Sequence, residues 1–338
     1  MAKRVTIGEV AADAGVSAAT VSRVLNGGAV TEETASRVWA AVSRLDYTPN
    51  ALTRSVFAGR SSTIGVVMRD LSSPFFLDLI RGIDDVAAAN GSLVMFANTF
   101  RQRDHETALI QMMDEHRVRG LIVTTGDQTD ARIRRMAEGG TPCVVVARRF
   151  VDPPAGLHTI RLDDAAAGAL MAGHLAGRGR TSIGVVTSGD RPAQRERVAG
   201  LRRGLAEHGL ALPGEAEASA ETEREAERAV VALLDGARGR GMPLDAIVCT
   251  TGRLTVAVHT ALTGRGLTIP DDIAFLTTDD FPWAAALGLT VITQPSYEMG
   301  RRAAELVVDN PGGSADVVFE PDLVPRGSTD RGGRPGSR

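Results

Sequence analysis

Residues 5–26, VTIGEVAADAGVSAATVSRVLN, contain the start and stop signals of two short helices. Thr6 stands three residues before Glu9, which is the spacing of a capping box at the start of a helix. Gly15 can supply the left-handed residue that ends such a helix. Ser17 is placed to cap a second helix, which the run Asn26-Gly27-Gly28 then stops. Two short helices joined by a tight turn that contains glycine predict a helix-turn-helix.

The second helix has two chemically different faces. Val21, Val24 and Leu25 form the inner face. The outer side chains are small or polar and include a single cation: Ala18, Ala19, Ser22, Arg23 and Asn26. Such a surface fits the major groove of DNA, where arginine can bind guanine and alanine can touch a thymine methyl group. A solvated helix face is the alternative, and the paired caps around the turn favour the DNA-binding interpretation.

A third helix is predicted after the turn, and its apolar positions are Val38, Trp39, Val42 and Leu45. We expect Trp39 to belong to the core of this small bundle. Pro49 closes the domain, because the residue before a proline avoids the helical region. The helix-turn-helix domain is therefore placed at 1–49, and a weakly helical hinge at 50–60.

Composition and charge restrict the class of protein. The chain has 338 residues, of which 43% are hydrophobic and 23% charged, so two or three globular domains are expected. The net charge of −3 divides into +2 for residues 1–60 and −5 for the rest, as in a basic head on an acidic body. Cys143 and Cys249 lie in apolar runs and are expected to be buried thiols. No secretory or membrane-spanning apolar stretch occurs, so we expect a cytoplasmic protein without a membrane partner.

The pattern changes at Thr63 to short apolar runs between helical stretches. The runs lie at 64–68, 93–97, 121–123, 143–147, 183–186, 246–249 and 273–276. Apolar runs without alternation indicate parallel strands covered on both faces. The pair Ile64-Gly65 recurs as Ile183-Gly184, and Gly82 recurs as Gly200, which indicates two similar lobes.

The fold class that these patterns predict is α/β. An all-α helix-turn-helix headpiece at the amino terminus precedes a core of two doubly wound parallel-sheet lobes. We place the first lobe at 61–162 plus 290–326, the second at 163–289, and a disordered tail rich in glycine and arginine at 327–338. The tail has no leucine heptads for a coiled coil, so a homodimer is expected.

Polar and aromatic residues follow the predicted strands at one edge of each sheet. Ligands of open parallel sheets bind at this edge, and two facing lobes would form a cleft there. The residues are 70–76 with Phe75 and Phe76, then Arg148, Asp163, Arg195, Arg197, Thr250, Thr251 and Asp279. Carboxylates and arginine forks bind hydroxyl groups or anions. A contact between lobes is the alternative for each residue, whereas the set predicts a pocket for a small molecule.

The headpiece resembles that of the LacI/GalR (lactose-repressor) family. The residues that carry the resemblance are 5–26, the run 45–50 and the pair Arg54-Ser55. The resemblance implies that the second helix reads the major groove through Ala18, Ala19, Ser22 and Arg23. It also implies phosphate contacts near Thr6, Ser17, Thr20 and Asn26.

The same resemblance implies a hinge helix at 50–58 that forms only when two subunits meet on DNA. That helix would enter the minor groove and wedge an apolar side chain into the central base step. The DNA-binding residues implied here are Asn50, Arg54, Ser55 and Val56. Val56 stands where the family usually has leucine. We therefore expect either a shallower kink in the DNA or that Phe57 also inserts into the base step.

The rest of the chain is similar to the periplasmic-binding-protein-like core of the same family. The matching motifs are Ser73-Pro74-Phe75-Phe76, Arg148, Asp163-Asp164, Arg195-x-Arg197-x-x-Gly200, Asp279-Asp280 and Thr290-x-Ile292-x-Gln294-Pro295. The effector-binding residues implied are Ser73, Phe75, Phe76, Arg148, Asp163, Arg195, Arg197, Thr250, Asp279 and Gln294. The family usually has Asn-Asp at Thr250-Thr251 and an acid at Ala147, which leaves open a metabolite other than an ordinary sugar, or a degenerate pocket.

The sequence therefore predicts a sequence-specific DNA-binding transcriptional regulator. The expected form is a dimeric repressor of a near-palindromic double-stranded operator, modulated by a sugar or related metabolite between the lobes. A solute-binding protein for transport is the second hypothesis, which the headpiece argues against. A sugar-processing enzyme is the third. The chain shows no nucleophile–base pair, phosphate loop or metal-ligand spacing, so no catalytic residue, metal or cofactor is expected.

Overall fold

The structure is a computed structural model that describes residues 5–25, 28–47, 61–73, 75–124, 126, 128–189 and 191–330. The predicted hinge at 50–60, with Asn50, Arg54, Ser55 and Val56, lies outside the described residues. Asn26 and the tail residues 331–338 lie outside them as well.

The headpiece consists of three helices at the expected places. They are α1 (Ile7–Ala14), α2 (Ala18–Leu25) and α3 (Glu32–Arg44). The capping box of α1 is formed, since the amide of Glu9 donates to the Thr6 hydroxyl (3.3 Å) and the amide of Thr6 donates to the Glu9 carboxylate (2.7 Å). Gly15 ends α1 in the left-handed region, with φ at 64°. Both ends of the helix thus use the devices that the sequence indicated.

The core of the headpiece is a small apolar cluster. Val10, Val21 and Val38 are fully buried in it and join the three helices. The expectation for Trp39 is wrong, because its side chain is 52% exposed. Consecutive residues of a helix point about 100° apart, so Val38 takes the inward position and Trp39 turns to solvent.

The remainder of the described chain contains two six-stranded sheets, one in each lobe. The first sheet holds β1 (Thr63–Met68), β2 (Leu93–Asn98), β3 (Gly120–Val123), β4 (Cys143–Val146), β5 (Leu157–Leu162) and β11 (Asp316–Phe319). The second holds β6 (Ile183–Thr187), β7 (Glu217–Ser219), β8 (Ala246–Cys249), β9 (Ala274–Thr278), β10 (Thr290–Thr293) and β12 (Asp322–Val324). The spatial orders are β11-β5-β4-β3-β1-β2 and β12-β10-β9-β8-β6-β7. Among the described strands, β10 and β12 form the one antiparallel pair.

Helices pack on the faces of both sheets. They are α4 (Phe75–Ala89), α5 (Arg103–Glu115), α6 (Asp130–Glu138), α7 (Asp164–Gly177), α8 (Pro192–Glu207), α9 (Glu223–Gly239), α10 (Thr255–Gly264), α11 (Pro282–Ala286) and α12 (Ser296–Asp309). In β1, Val66 belongs to an apolar cluster on one side of the sheet and Val67 to a cluster on the other. The central strands are therefore apolar on both faces, as the unalternated runs predicted.

The lobe boundary predicted at 289/290 is wrong. Strand β10 pairs with β9 and therefore belongs to the second lobe, and so does β12. The chain returns to the first lobe only for α12 and β11, which packs beside β5. Part of the predicted disordered tail is ordered: Gly327–Thr329 form a short 3-10 turn in which Ser328 and Thr329 are buried against β9 and β10.

The recurring glycines mark a close helix pair in each lobe. A Cβ atom at Gly82 of α4 would lie 2.1 Å from the carbonyl oxygen of Tyr297 in α12. A Cβ at Gly200 of α8 would lie 2.1 Å from the carbonyl oxygen of Ala165 in α7. Only glycine lets the backbones approach this closely. The internal echo in the sequence thus corresponds to the same packing device in two lobes.

Candidate functional site

The outer face of α2 is the candidate DNA interface. Ala18, Ala19 and Arg23 are exposed on it, while Val21 and Val24 hold the helix to the bundle behind. A Cβ at Gly28 would lie 2.6 Å from Cγ of Arg23, so glycine gives the stem of Arg23 room to lie across the chain that follows α2. The face therefore presents one cation among small side chains, which suits contact with base edges.

The amino terminus of α2 lies beside this face. The Ser17 hydroxyl accepts from the amide of Thr20 (3.1 Å), and the two hydroxyls are 2.9 Å apart. Ser17 is exposed, as is Thr6 at the start of α1, while Thr20 and Ser22 are half-buried. Helix amino termini carry a partial positive charge and bind phosphate groups. Three of the four places predicted for phosphate contacts, Thr6, Ser17 and Thr20, thus lie at two helix starts, and the fourth, Asn26, is outside the described residues.

A cavity of about 720 Å³ lies between the two lobes, and we call it the interlobe cavity. It is lined by residues that follow strands of both sheets, at the edge that the sequence predicted. Eight of the predicted effector residues line it: Ser73, Phe75, Phe76, Arg148, Arg195, Arg197, Asp279 and Gln294. The volume is that of a small-metabolite pocket.

Two predicted effector residues do not line the cavity. The Asp163 carboxylate accepts from the amide of Ala166 (2.9 Å) and caps α7, while Asp164 lines the cavity in its place. Thr250 is fully buried, and its hydroxyl donates to the Gln194 side chain (2.6 Å). Thr251, which the strand-end rule also named, lines the cavity. In both places the strand end was correct, and the neighbouring residue is the one that faces the cavity.

In the first lobe, Arg148 is held by fixed partners. Its guanidinium pairs with the Asp130 carboxylate at the start of α6 and donates to the carbonyl oxygen of Gly126 (2.8 Å). Phe75 and Phe76 meet edge to face, with ring centroids 5.1 Å apart. This wall therefore offers an oriented cation and an aromatic surface to a ligand.

In the second lobe, buried charges are paired within the wall. Arg197 donates through Nε to Asp164 (3.0 Å) and through a terminal nitrogen to the carbonyl oxygen of Thr250 (2.5 Å). Burial raises the pKa of Asp164, although Arg197 opposes the shift. Burial also raises the pKa of Asp279, which accepts from the Gln294 amide (2.6 Å). These hydrogen bonds fix the side chains before any ligand arrives.

Several charged residues of the cavity wall are absent from the set of effector residues predicted from the sequence. They are Arg69, Arg101, Arg103, Glu106, Asp130, Arg149, Asp164, Arg191, Glu221 and Arg253. Arg69 follows β1 directly and Arg253 lies four residues after β8, so the strand-end rule could have found both. Glu221 has no such signal in the sequence. It reaches the cavity because Gly189 leaves room for its carboxylate, and a Cβ there would lie 2.2 Å from Oε1.

Other kinds of site are missing from the described part of the chain. No group of three or more His, Cys, Asp or Glu side chains is placed to hold a metal ion within the described ranges. None of the helices described above is long and apolar enough to cross a membrane. Both cysteines are buried, and burial raises the pKa of each thiol, that of Cys249 to about 11.

Comparison with known families divides the chain at the same place as the fold. Residues 6–50 match the family of bacterial regulatory proteins of the lacI type. Residues 61–318 match the family described as periplasmic binding proteins and sugar binding domain of the LacI family.

Individual relatives match along almost the whole chain. The transcriptional regulator GalS of Salmonella typhimurium (strain LT2) is 32% identical over 334 residues, covering 96% of each chain. GalR of Escherichia coli (strain K12) is 32% identical over 333 residues, covering 96% of this chain and 95% of its own.

Solved structures agree on the fold. The lac repressor dimer bound to operator and the anti-inducer ONPF superposes with a TM-score of 0.80 at 23% identity, covering 97% of this chain and all of that one. The CelR regulator in complex with cellobiose has a TM-score of 0.71 at 25% identity, covering 96% and 100%. The chain therefore belongs to the LacI family of bacterial regulatory proteins, whose members are DNA-binding transcriptional regulators and not enzymes.

Proposed function

We propose that this chain is a dimeric transcriptional repressor of a near-palindromic operator, and that a small molecule in the interlobe cavity changes its affinity for DNA. The observation that carries the proposal is the outer face of α2, where exposed Ala18, Ala19 and Arg23 stand on a helix whose other face is buried. Two such faces, related by the two-fold axis of a dimer, would read two half-sites of one palindrome.

The proposed division of contacts follows the geometry of the headpiece. Ala18, Ala19, Ser22 and Arg23 contact base edges, and the starts of α1 and α2 at Thr6, Ser17 and Thr20 contact phosphates. The proposed contacts of Asn26, Asn50, Arg54, Ser55 and Val56 lie outside the described residues. Since the operator is part of the chromosome, the cytoplasm is the proposed location.

The proposed effector site is the interlobe cavity, with the eight predicted residues that line it and with Asp164 and Thr251 in place of Asp163 and Thr250. The CelR relative was solved with cellobiose, which supports a sugar or related metabolite as the class of ligand. A side chain already crosses between the lobes, because Arg101 of the first lobe donates to the carbonyl oxygen of Glu221 in the second (2.9 Å). A ligand that binds one lobe arrangement more tightly than another would shift the population and so the affinity for DNA.

The test is binding of the purified protein to its own upstream DNA across a panel of metabolites. We expect a symmetric footprint and at least one metabolite that changes operator affinity about tenfold or more. Asp279→Asn should abolish that response, because it removes a cavity charge while keeping the shape, and asparagine tolerates the positive φ of 69° found there. Asp280→Asn is the matched control, since Asp280 pairs with Arg326 and is not part of the cavity wall. A metabolite response that survives Asp279→Asn unchanged would remove the cavity from the proposal.

Proof of the dimer requires a separate measurement. Sedimentation equilibrium of the full chain should give twice the mass of 35.5 kDa, with and without operator. A monomer that still gives a symmetric footprint would contradict the dimeric part of the proposal.

A further inference from the structure

One end of the interlobe cavity carries four arginines, which we call the arginine cluster: Arg69, Arg101, Arg191 and Arg253. The first lobe supplies Arg69 and Arg101, and the amide of Arg101 donates to the carbonyl oxygen of Arg69 (3.0 Å). The second lobe supplies Arg191 before α8 and Arg253 after β8. The four therefore converge from both walls on one region of the cavity.

The carboxylates near the cluster do not balance it. Arg101 pairs with Asp70 (3.3 Å) and with Glu221 (3.0 Å), so one arginine uses both acids. Arg253 donates to the hydroxyl of Ser188 (3.3 Å), which is neutral. Neither Arg69 nor Arg191 forms an ion pair with a described residue, and Nε of each is buried without a hydrogen-bond partner there. Buried donors without partners are costly, so this end of the cavity is unsatisfied in the protein alone.

The charges repel one another across the cavity. Burial and the nearby Arg69 and Arg101 lower the pKa of Arg191 to about 10, so Arg191 keeps its charge at neutral pH. Burial and Arg101 likewise lower the pKa of Arg69 and of Arg253. Nine arginines and six carboxylates lie among the described residues of the whole cavity wall. An anion at the cluster would relieve this repulsion.

A helix start adds to the same positive region. Helix α8 runs for 16 residues from Pro192, and its first residues Pro192, Ala193 and Gln194 line the cavity next to Arg191. Arg191 occupies the N-cap position, and its side chain makes no capping hydrogen bond. The partial positive charge of the helix start therefore faces the cavity without a side-chain cap from its own N-cap residue.

Building on the regulatory function proposed above, we propose that the effector is a phosphorylated polyhydroxylated metabolite whose phosphate group lies in the arginine cluster. A phosphate monoester is a dianion with three terminal oxygens, so it can accept from several guanidinium groups that approach from different sides. A carboxylate has only two oxygens, which lie in one plane, so a single guanidinium fork already engages both of them. Arg148, Asp279 and Gln294 would then bind the hydroxyl groups of the same ligand.

The cluster also explains how such a ligand would act on the lobes. Phosphate bound between Arg69 of the first lobe and Arg191 of the second joins the two walls through charge-assisted hydrogen bonds. The phosphate would compete with Glu221 for Arg101, and the contact between Arg101 and Glu221 links the lobes in the structure. The ligand thus favours a particular arrangement of the lobes, which a regulatory effector requires.

The test uses inorganic phosphate as the probe, measured by calorimetry with the full-length protein at constant ionic strength set by chloride. We expect phosphate to bind and Arg191→Gln or Arg253→Gln to weaken it about tenfold or more, the loss of a charge-assisted hydrogen bond. Arg238→Gln is the matched control, because Arg238 is exposed on α9 away from the cavity. This variant should bind phosphate as tightly as the unaltered protein does. Phosphate that binds no better than chloride, or equally well to all variants, would overturn the proposal.

Competition identifies the class of ligand. Glucose 6-phosphate should displace inorganic phosphate, whereas glucose should not and gluconate should do so more weakly. Stronger displacement by gluconate would indicate that the cluster binds a carboxylate and not a phosphate, and would overturn the proposal.

Operator binding by the unaltered protein, measured in parallel with these titrations, distinguishes failure of this inference from failure of the proposed regulatory function. If neutral sugars but no phosphate compound change operator affinity, the regulatory function stands and this inference fails. If phosphate binds but no operator does, the regulatory function fails instead.

Discussion

The outer face of α2 and the wall of the interlobe cavity both rely on arginine, but the protein places its charge in opposite settings. Arg23 on α2 is exposed and forms no ion pair with a described residue. The side chain of Arg197 in the cavity wall is 6% exposed and pairs with Asp164, whose side chain is 7% exposed. An exposed charge is already solvated by water, whereas a buried charge depends on its partner. Substitutions of the exposed side chains on the outer face of α2 should therefore change DNA binding alone, and those in the wall should change stability as well.

The greatest change in free energy should come from a substitution in the cavity wall. Asp164→Ala leaves the guanidinium of Arg197 buried with the Thr250 carbonyl oxygen as its remaining partner. We expect a loss of about 3–5 kcal/mol in the free energy of unfolding, measured by denaturant titration. Asp78→Ala is the control, because Asp78 is exposed and, among the described residues, pairs only with exposed Arg81, and it should cost less than about 1 kcal/mol. Equal losses for the two variants would remove the distinction between the two settings.

The next effect is on the DNA-binding face. Arg23→Ala should cost about 1–3 kcal/mol of operator affinity and relax the preference at one base pair, because a single base contact disappears. Its unfolding free energy should stay within about 0.5 kcal/mol of the unaltered protein, since the side chain is exposed. Arg238→Ala makes the same change in charge away from the headpiece and should leave affinity unchanged. An Arg23→Ala footprint identical to the original would refute the role of Arg23.

A smaller effect concerns pH and the buried carboxyl of Asp279. Burial raises its pKa above the ordinary 3.8, so the folded protein holds this proton more tightly than the unfolded chain does. The stability that this proton contributes is therefore lost as pH rises from 3.8 through the raised folded value. Asp279→Asn should remove that part of the pH dependence, measured as unfolding free energy at a series of pH values. The headpiece offers no such buried acid among its described residues, so a pH profile unchanged by the substitution would contradict the account.

The smallest expected effect is on thiol reactivity. Cys143 and Cys249 are buried in the two lobes, and burial raises the pKa of both thiols. A thiol-specific reagent should therefore label neither in the folded protein and both after unfolding, because the thiolate is the reactive species. Rapid labelling of either cysteine in the folded protein would contradict the burial of the strand that carries it.

Much of the fold could be predicted because its signals are local. The capping box at Thr6 and Glu9, the left-handed Gly15 and the unalternated apolar runs each depend on neighbours in the chain. The second lobe boundary could not be read in this way. Strand β10 and the strand-like stretch after α12 carry similar apolar residues in either lobe, and the pairing partner decides where each belongs.

In the cavity, too, local sequence patterns do not determine which individual residues line the wall. The strand-end rule located the correct loops but not which of two adjacent side chains turns inward. It named Asp163 where Asp164 lines the wall, and it named both Thr250 and Thr251, of which Thr251 lines the wall. That choice is made by helix caps and by hydrogen bonds inside the lobe. Glu221 is placed by Gly189 in another element, a contact between distant parts of the chain that no local pattern contains.

Sequence-specific recognition by α2 is tested by comparing two duplexes of equal length, one from the DNA upstream of the gene and one of scrambled sequence. Binding of each to the purified full chain is followed by fluorescence anisotropy in the same buffer. If α2 inserts its outer face into the major groove, the upstream duplex should bind about 10³-fold or more tightly, and Arg23→Ala should reduce that ratio. Equal affinity for the two duplexes, with the folded state verified by circular dichroism, would contradict sequence-specific recognition by this helix.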